Sequence, residues 1–229
     1  MMRKVDYVTM RTLAIILKKQ ATNEYDQLVT CYTQEFGKLT AVAKSVLKPN
    51  SIQAMHLDVF NLVDFELISG RGTPIITGAQ AENSYTNIKS DLSCLAVVYL
   101  FAEIIDKLAF EYQKDEGMWN FLVSLPDHFN QGRPLVDIRR ILPDKQLELL
   151  NILGYAPNLK ECVFCQKTEL IAYNVQARGG VCKDCFLAGR GGIVAKGNDL
   201  MSTSVLNSIF ESLIERKLYS LNLSDFMLR

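Results

Sequence analysis

The sequence has little of what most enzymes and membrane proteins depend on. Its 229 residues include two histidines and one tryptophan, and 25 basic side chains balance 25 acidic ones, so the net charge is zero. The longest unbroken apolar run, residues 94–102, has nine residues, whereas a helix that spans a bilayer needs about 20. A uniformly basic nucleic-acid coat and a membrane protein are therefore excluded, and the 48% apolar content is typical of a globular chain.

Catalytic motifs are also missing. The sequence has no Walker phosphate loop, no Gly-x-Gly-x-x-Gly dinucleotide pattern and no Gly-x-Ser-x-Gly turn. Neither His56 nor His128 begins the His-x-Glu motif of zinc deaminases. We therefore expect no enzymatic activity and no small-molecule substrate. We recognise no secretion signal near the N-terminus, so we expect a reducing compartment in which cysteines stay as thiols or bind metal.

Four of the six cysteines form the most specific motif in the chain. Cys162 and Cys165 make one Cys-x-x-Cys pair, and Cys182 and Cys185 make a second pair after 16 intervening residues. Zn²⁺ prefers four tetrahedral ligands, and two such pairs at this spacing are typical of a structural zinc site. We predict one structural Zn²⁺ on these four thiolates. Since the protein fills every position, an open catalytic zinc is not expected.

Hydropathy patterns predict an α+β protein. Apolar alternation over residues 11–80, broken by glycine and proline turns, predicts five short strands and a small antiparallel β-barrel. Apolar residues at helical spacing in 84–155 predict a helical region, in which Pro143 separates one helix ending at Leu142 from another beginning at Asp144. The predicted domains are the barrel (1–80), a first helical part (81–160), a four-cysteine zinc module (161–192) and a C-terminal helical part (193–229).

Charge is unevenly spread along the chain. Residues 1–50 carry a net charge of +4, and residues 51–135 carry −6. Chance clustering on a solvated surface accounts for this difference as well as a functional basic face does. The pattern alone therefore leaves both interpretations open.

Basic and aromatic residues of the predicted barrel form a candidate nucleic-acid surface. Lysines neutralise phosphates and aromatic rings stack on bases, and small barrels that carry both often hold single strands. The alternative is that the lysines only confer solubility and the rings belong to the core. The candidate residues are Lys18, Lys19, Tyr25, Lys38, Lys44, Lys48 and Arg71.

Several stretches of the chain resemble the RecO family of bacterial recombination mediators. The barrel region does so in AIILK at 14–18, EYDQLVT at 24–30 and EFGKLTAVA at 35–43. Gly70-Arg71-Gly72 is similar to the family's turn before the last barrel strand, and LGYAPNL at 153–159 precedes the cysteine pairs as it does in that family. The order and spacing of these stretches carry the resemblance, which runs over nearly the whole chain.

The resemblance implies an N-terminal OB-type barrel followed by a helical domain with an inserted zinc module. It implies a DNA repair and recombination mediator that binds single- and double-stranded DNA, anneals complementary strands and helps RecA to load onto coated single strands. The implied partners are RecR and the C-terminal tail of the single-stranded-DNA-binding protein. The implied location is the bacterial cytoplasm, at the nucleoid.

Two further expectations concern where partners bind. We place the acidic tail of the coating protein near Arg133, Arg139 and Arg140 of the helical domain. Between Lys44 and Met55 the family usually carries several basic residues, whereas here Lys44 and Lys48 are the basic ones. A protein-interaction adaptor that makes no contact with DNA is therefore the main alternative, and a zinc hydrolase is the third.

Overall fold

The chain folds into two compact units, residues 1–132 and 133–229. The structure is a computed structural model, and it describes residues 8–69, 72–129, 135–194, 200 and 202–220. The first unit contains the strands of the predicted barrel and three helices, and the second contains the four cysteines.

Five strands of the first unit form a closed barrel. Around the barrel they follow the order β1-β2-β3-β5-β4, and β4 pairs with β1 to close it. All pairs are antiparallel except the short one between β3 and β5. The five predicted strands are confirmed, but a fully antiparallel barrel was wrong, because alternation reports the buried face and not the direction of the neighbour. The strands are β1 (Val8–Ala21), β2 (Gln27–Thr33), β3 (Gly37–Ala43), β4 (Leu62–Ser69) and β5 (Ile75–Asn83).

An apolar core fills the barrel. Its residues point inward from all five strands and from the connection between β3 and β4, as period-2 alternation requires. Phe65 is the largest residue of this core and is fully buried. The core consists of Ala14, Ile16, Val29, Cys31, Leu39, Ala41, Ala43, Val46, Leu57, Val63, Phe65, Leu67 and Ile76.

Helices follow the barrel in the first unit: α1 (Thr86–Ser90), α2 (Leu92–Leu108) and α3 (Glu116–Phe129). Asp91 caps α2, since its carboxylate accepts hydrogen bonds from the amides of Ser93 and Cys94 at 2.8 and 3.0 Å. No helix among the described residues is both long and apolar enough to cross a membrane.

The described residues of the second unit combine three α-helices with a small sheet. Its elements are α4 (Leu135–Ile152), β6 (Leu170–Asn174), β7 (Gly179–Cys182), α5 (Lys183–Cys185), β8 (Ile193–Val194) and α6 (Thr203–Ile214). The sheet order is β7-β6-β8.

Helix α4 differs from its prediction. It runs unbroken through Pro143, where the sequence predicted two helices. A proline removes one backbone donor from a helix interior, but Ile138, Leu142 and Leu149 are buried on the same helix and hold it together on both sides of the proline. Tertiary packing thus overrides the local break signal.

Candidate metal centre and charged barrel surface

Four cysteine sulfurs converge in the second unit. The Sγ atoms of Cys162, Cys165, Cys182 and Cys185 all lie within 4.8 Å of one another. The Sγ atoms of Cys165 and Cys182, one from each pair, are 3.5 Å apart. The structure thus brings together the set that the spacing predicted.

The first cysteine pair is held by a tight backbone turn. The amide of Cys162 donates to the carbonyl of Lys167 at 2.7 Å, and the amide of Gln166 donates back to the carbonyl of Cys162 at 2.8 Å. Gln166 adopts a left-handed φ of 64°, which turns the chain back on itself. This turn carries both thiols of the pair to the same side.

The second cysteine pair is brought to the first by β7. The amide of Val163 donates to the carbonyl of Gly180 at 3.0 Å, so the strand runs directly beside the first turn. A Cβ on Gly179 would lie 2.2 Å from Cγ1 of Val163, and one on Gly180 would lie 2.3 Å from Cδ1 of Leu170. Any larger residue at either position would force these side chains to shift.

The surroundings of the cysteines give their thiols different pKa values. Burial raises the pKa of Cys162, but backbone amides of Cys182, Phe164 and Cys165 that point at its sulfur outweigh burial and lower the pKa to about 6. Burial, followed by hydrogen bonds to the neighbouring thiols, raises the pKa of Cys185 to about 12. Backbone donors that stabilise a thiolate in this way are typical of sulfur ligands to metals.

The dimensions of the cluster fit a metal ion. A tetrahedral ion with metal–sulfur bonds of about 2.3 Å places its sulfurs about 3.8 Å apart. The four sulfurs here all lie within 4.8 Å of one another, and one pair is 3.5 Å apart. Tetrahedral tetrathiolate sites hold zinc or iron. The four cysteines would therefore hold one ion in a closed shell of protein ligands.

Ion pairs engage the candidate lysines of β1. Nζ of Lys19 lies 2.8 Å from Asp58 Oδ1, and Nζ of Lys89 binds the other oxygen of the same carboxylate at 3.1 Å. Nζ of Lys18 lies 3.7 Å from Asp106 Oδ2. Both lysines thus have carboxylate partners within the first unit.

Lys38 departs most from its expected exposure. It is 8% exposed, and its ammonium donates to the backbone carbonyl of Asp106 at 2.7 Å. Burial lowers the pKa of Lys38, and the nearby carboxylates of Asp106 and Glu111 partly oppose this shift. Because the side chain is buried beside α2, Lys38 is corrected from a surface phosphate contact to a structural lysine.

Lys44, Lys48 and Tyr25 remain together on the surface. Nζ of Lys48 lies 5.2 Å from the centroid of the Tyr25 ring, and 48% of Tyr25 is exposed. Tyr25 and Lys44 line one shallow groove, and Lys44 and Lys48 line another beside it. Among the described residues, neither lysine has a carboxylate within ion-pair distance. We call these three residues the Tyr25 surface.

The candidate arginines fall in different places. Arg139 and Arg140 are exposed on α4. Arg71 and Arg133 lie outside the described residues.

Sequence reasoning missed the partners that occupy Lys18, Lys19 and Lys38. Those partners, Asp58 and Asp106, lie 39 to 88 positions away along the chain. A local sequence pattern cannot predict an ion pair between residues so far apart along the chain. The buried carbonyl contact of Lys38 has no signal in the sequence at all.

Comparison with known proteins places this arrangement in a family. Residues 6–85 match the family described as Recombination protein O N terminal, and residues 89–214 match Recombination protein O C terminal. The chain belongs to the recombination protein O (RecO) family. The resemblance stated from the sequence is thereby confirmed.

Relatives in the RecO family cover most of the chain. The DNA repair protein RecO of Thermoanaerobacter sp. (strain X514) is 32% identical over 180 residues, which are 77% of this chain and 71% of the relative. The DNA repair protein RecO of Moorella thermoacetica is 29% identical over an alignment of 191 residues that covers 78% of this chain and 70% of the relative. The similarity thus extends across both units.

Proposed function

We propose that this chain is a DNA repair and recombination mediator whose barrel is of the OB type and binds DNA at the Tyr25 surface. Membership of the RecO family and the relatives' name support the general role. The observation that carries the site is that Lys44 and Lys48 lie beside an exposed ring, with no carboxylate of the described residues within ion-pair distance. The carboxylate of Asp26 interacts with both lysines at longer range and lines the same groove as Lys44.

The proposed chemistry is binding without bond making. Lysine ammonium groups neutralise phosphates and release counterions, so affinity falls as salt rises. OB barrels bind oligonucleotides on the face of their second and third strands and on the adjoining loops. Tyr25 lies on the loop between β1 and β2, which is one of the loops that OB barrels use, and Lys44 and Lys48 lie next to it on the connection between β3 and β4. Two strands held on one surface meet at a raised effective concentration, which promotes annealing.

The proposed ion is a single structural Zn²⁺ on the four cysteines. A closed tetrathiolate site supplies folding energy and has no position for a reacting water. This accords with a protein that has no enzymatic activity.

The proposed partners are single- and double-stranded DNA, RecR and the acidic tail of the single-stranded-DNA-binding protein, with RecA acting indirectly. Arg139 and Arg140 are the described candidates for the tail, because both are exposed on α4. Arginine suits this task, since its planar guanidinium pairs with carboxylates in a bidentate way.

Salt-dependent binding of single-stranded DNA tests the proposal. We expect wild-type affinity to fall steeply with salt, and the doubly substituted Lys44→Glu/Lys48→Glu protein to bind at least ten-fold more weakly at low salt. Losing two phosphate contacts also lowers the slope of log affinity against log salt by about 1.4. Fluorescence anisotropy with a labelled oligonucleotide measures both quantities.

The matched control makes the same charge change elsewhere. Lys160 and Lys217 are exposed in the second unit, and Lys160→Glu/Lys217→Glu alters the net charge equally. Equal weakening by the two double variants would show a general charge effect and would contradict a site at the Tyr25 surface.

A protein-interaction adaptor that makes no DNA contact is the second candidate. The observation that favours it is the engagement of Lys18, Lys19 and Lys38 by partners inside the first unit. Wild-type protein that fails to bind single-stranded DNA even at low salt would support the adaptor.

A further inference from the structure

An acidic residue lies beside the lysines of the Tyr25 surface. Asp26 lines the same groove as Lys44, and its carboxylate interacts with both Lys44 and Lys48. A negative charge near two ammonium groups weakens their attraction for phosphate. The place of this carboxylate is therefore explained better by its hydrogen bonds than by its charge.

The carboxylate of Asp26 joins two segments of the barrel. Its Oδ1 accepts a hydrogen bond from the amide of Ser45, at 2.7 Å. Ser45 follows β3 and Asp26 precedes β2, so this bond connects the β1–β2 loop to the connection between β3 and β4. A hydrogen bond from a backbone amide to a charged oxygen is stronger than one between neutral groups. We call this bond the Asp26 link.

Asn23 holds the same carboxylate from the other side. Its side-chain amide donates to Oδ2 of Asp26 at 3.0 Å, and its Oδ1 accepts from the backbone amides of Tyr25 and Asp26, each at 2.8 Å. Asparagine side chains commonly stabilise turns in this way. The hydrogen bond from Ser45, followed by that from Asn23, holds the pKa of Asp26 below its usual value, so the carboxylate is ionised at neutral pH.

The segment at the far end of this link is strained and fixed. Ser45 has a φ of 57°, a left-handed conformation that non-glycine residues rarely adopt. Val46 is buried in the barrel core, and the amide of Leu47 donates to the carbonyl of Tyr25 at 2.9 Å. Three consecutive residues of the connection are therefore held in place.

Both lysines of the Tyr25 surface flank these three fixed residues. Lys44 precedes them, and Lys48 follows them. The backbone amide of Lys48 also donates to the carbonyl of Ser45, at 3.2 Å. Nζ of Lys48 then lies 5.2 Å from the centroid of the Tyr25 ring, within the range of a cation–π interaction. The backbone that the Asp26 link holds is thus the backbone that carries the lysines.

We infer that Asp26 is a positioning residue of the Tyr25 surface: through the amide of Ser45, its carboxylate holds the two lysines beside the ring before DNA binds. This inference rests on the proposed function, because it concerns the surface proposed to bind DNA. A surface that is ordered in advance loses less conformational entropy on binding than one that its ligand must order.

Two substitutions that remove the same charge test the inference. Asp26→Asn keeps a side-chain oxygen that can accept from the amide of Ser45, whereas Asp26→Ala keeps none. In the full-length protein, we expect Asp26→Asn to bind single-stranded DNA at least as tightly as wild type, because a charge that repels phosphate is gone. Asp26→Ala should bind about five-fold more weakly than Asp26→Asn or worse, because its lysines must be ordered on binding. Fluorescence anisotropy with a labelled oligonucleotide at low salt measures these affinities.

A second measurement needs no DNA. Side-chain protons of Lys48 that lie over the Tyr25 ring are shifted upfield by the ring current, and nuclear magnetic resonance detects this shift. In DNA-free protein, Asp26→Asn should retain the shift and Asp26→Ala should lose it. The core of the barrel does not include Asp26, and thermal melting of both variants identifies any loss that comes from unfolding.

Glu24 provides the matched control for charge. It is exposed and lines the same groove as Asp26, but its side chain takes no part in the Asp26 link. Glu24→Ala should bind DNA at least as tightly as wild type and should keep the upfield shift of Lys48. Weakening by Glu24→Ala equal to that by Asp26→Ala would mean that any truncation in this loop disturbs the surface, and would overturn the role of Asp26.

The remaining outcomes separate this inference from the proposed function. If Lys44→Glu/Lys48→Glu weakens binding but the two Asp26 variants bind equally, Asp26 acts only through its charge, and the Tyr25 surface stands without this inference. If Lys44→Glu/Lys48→Glu binds like wild type, the Tyr25 surface is wrong and the inference falls with it. An upfield shift of Lys48 that persists in Asp26→Ala overturns the inference alone.

Discussion

The barrel and the cysteine module are stabilised by different means. The barrel core contains thirteen buried residues contributed by all five strands and a loop. The buried cluster of the module contains four residues, Cys162, Ala172, Val181 and Cys182, and two of these are metal-ligand candidates. A core of the first kind is stabilised by apolar burial, whereas a cluster as small as the second would depend on the ion that its four cysteines could hold. The comparison teaches that the candidate metal site lies wholly in the second unit, so we expect the barrel to fold without the metal.

Removing the metal site should produce the largest effect. For Cys162→Ser we expect loss of the bound metal and unfolding of the module, because a structural zinc site can supply on the order of 10 kcal/mol of folding energy. The sole tryptophan, Trp119, is buried in the first unit, so its fluorescence should remain that of wild type. Metal analysis, limited proteolysis and emission spectra measure the three responses.

The control for this variant is another buried thiol. Cys94 lies in the first unit, and its Sγ contacts the carbonyl oxygen of Phe129 at 3.3 Å. Cys94→Ser should keep one metal per chain. Stoichiometric metal and an intact module in Cys162→Ser would contradict the four-cysteine site.

A cavity in the barrel core should destabilise the first unit and leave the metal content of the second unit unchanged. Phe65 is fully buried, and Phe65→Ala should lower the free energy of unfolding of the first unit by about 3–5 kcal/mol. Metal content should not change. Urea denaturation followed by Trp119 emission measures the loss, and release of metal by this variant would break the distinction between the two regions.

A methyl group placed between the cysteine pairs should have a smaller effect. Gly179→Ala puts a Cβ 2.2 Å from Cγ1 of Val163. We expect the strained module to lose about 1–3 kcal/mol and to release its metal to a chelator more readily than wild type. The control is Gly72→Ala in the first unit, because a Cβ there would meet no described atom within 4 Å. Identical metal affinity in both variants would show that the close approach is not needed.

The smallest predicted effect is on how the stability of the first unit depends on pH, through the carboxylate of Asp58. Burial raises the pKa of Asp58, but hydrogen bonds from Lys19 and Lys89 outweigh it, and the pKa lies below its usual value. The stabilisation is therefore complete above the unfolded pKa of about 3.9 and is lost as the pH falls through the lower folded value. In Asp58→Asn, stability of the first unit should fall less than in wild type on acidification below about pH 4, by about 1 kcal/mol or less. Parallel curves for the two proteins would rule out this contribution.

Local patterns in the sequence were sufficient for much of this fold. Period-2 alternation located the five strands, and the spacing of Cys162, Cys165, Cys182 and Cys185 selected the set that converges. Both signals are local and depend on residue type, so they survive in a single sequence. Pro143 was misleading because it is also a local signal: it predicted a helix break, but packing around α4 keeps the helix continuous.

Non-local contacts could not be predicted. The buried ammonium of Lys38 binds the carbonyl of Asp106 in α2, 68 positions away along the chain. A lysine in a strand looks the same in sequence whether α2 covers it or solvent does. The structure therefore gives Lys18, Lys19 and Lys38 of the candidate DNA surface partners inside the first unit. The four candidate metal ligands are the ones that the sequence predicted.

The affinity of metal-free protein for single-stranded DNA tests the central claim most directly. After complete chelation, confirmed by metal analysis, anisotropy with a labelled oligonucleotide at low salt should give the wild-type dissociation constant, because the barrel holds the DNA and keeps its own core. A large loss of affinity on chelation, with Trp119 emission unchanged, would mean that the cysteine module itself holds the DNA, and would contradict the account.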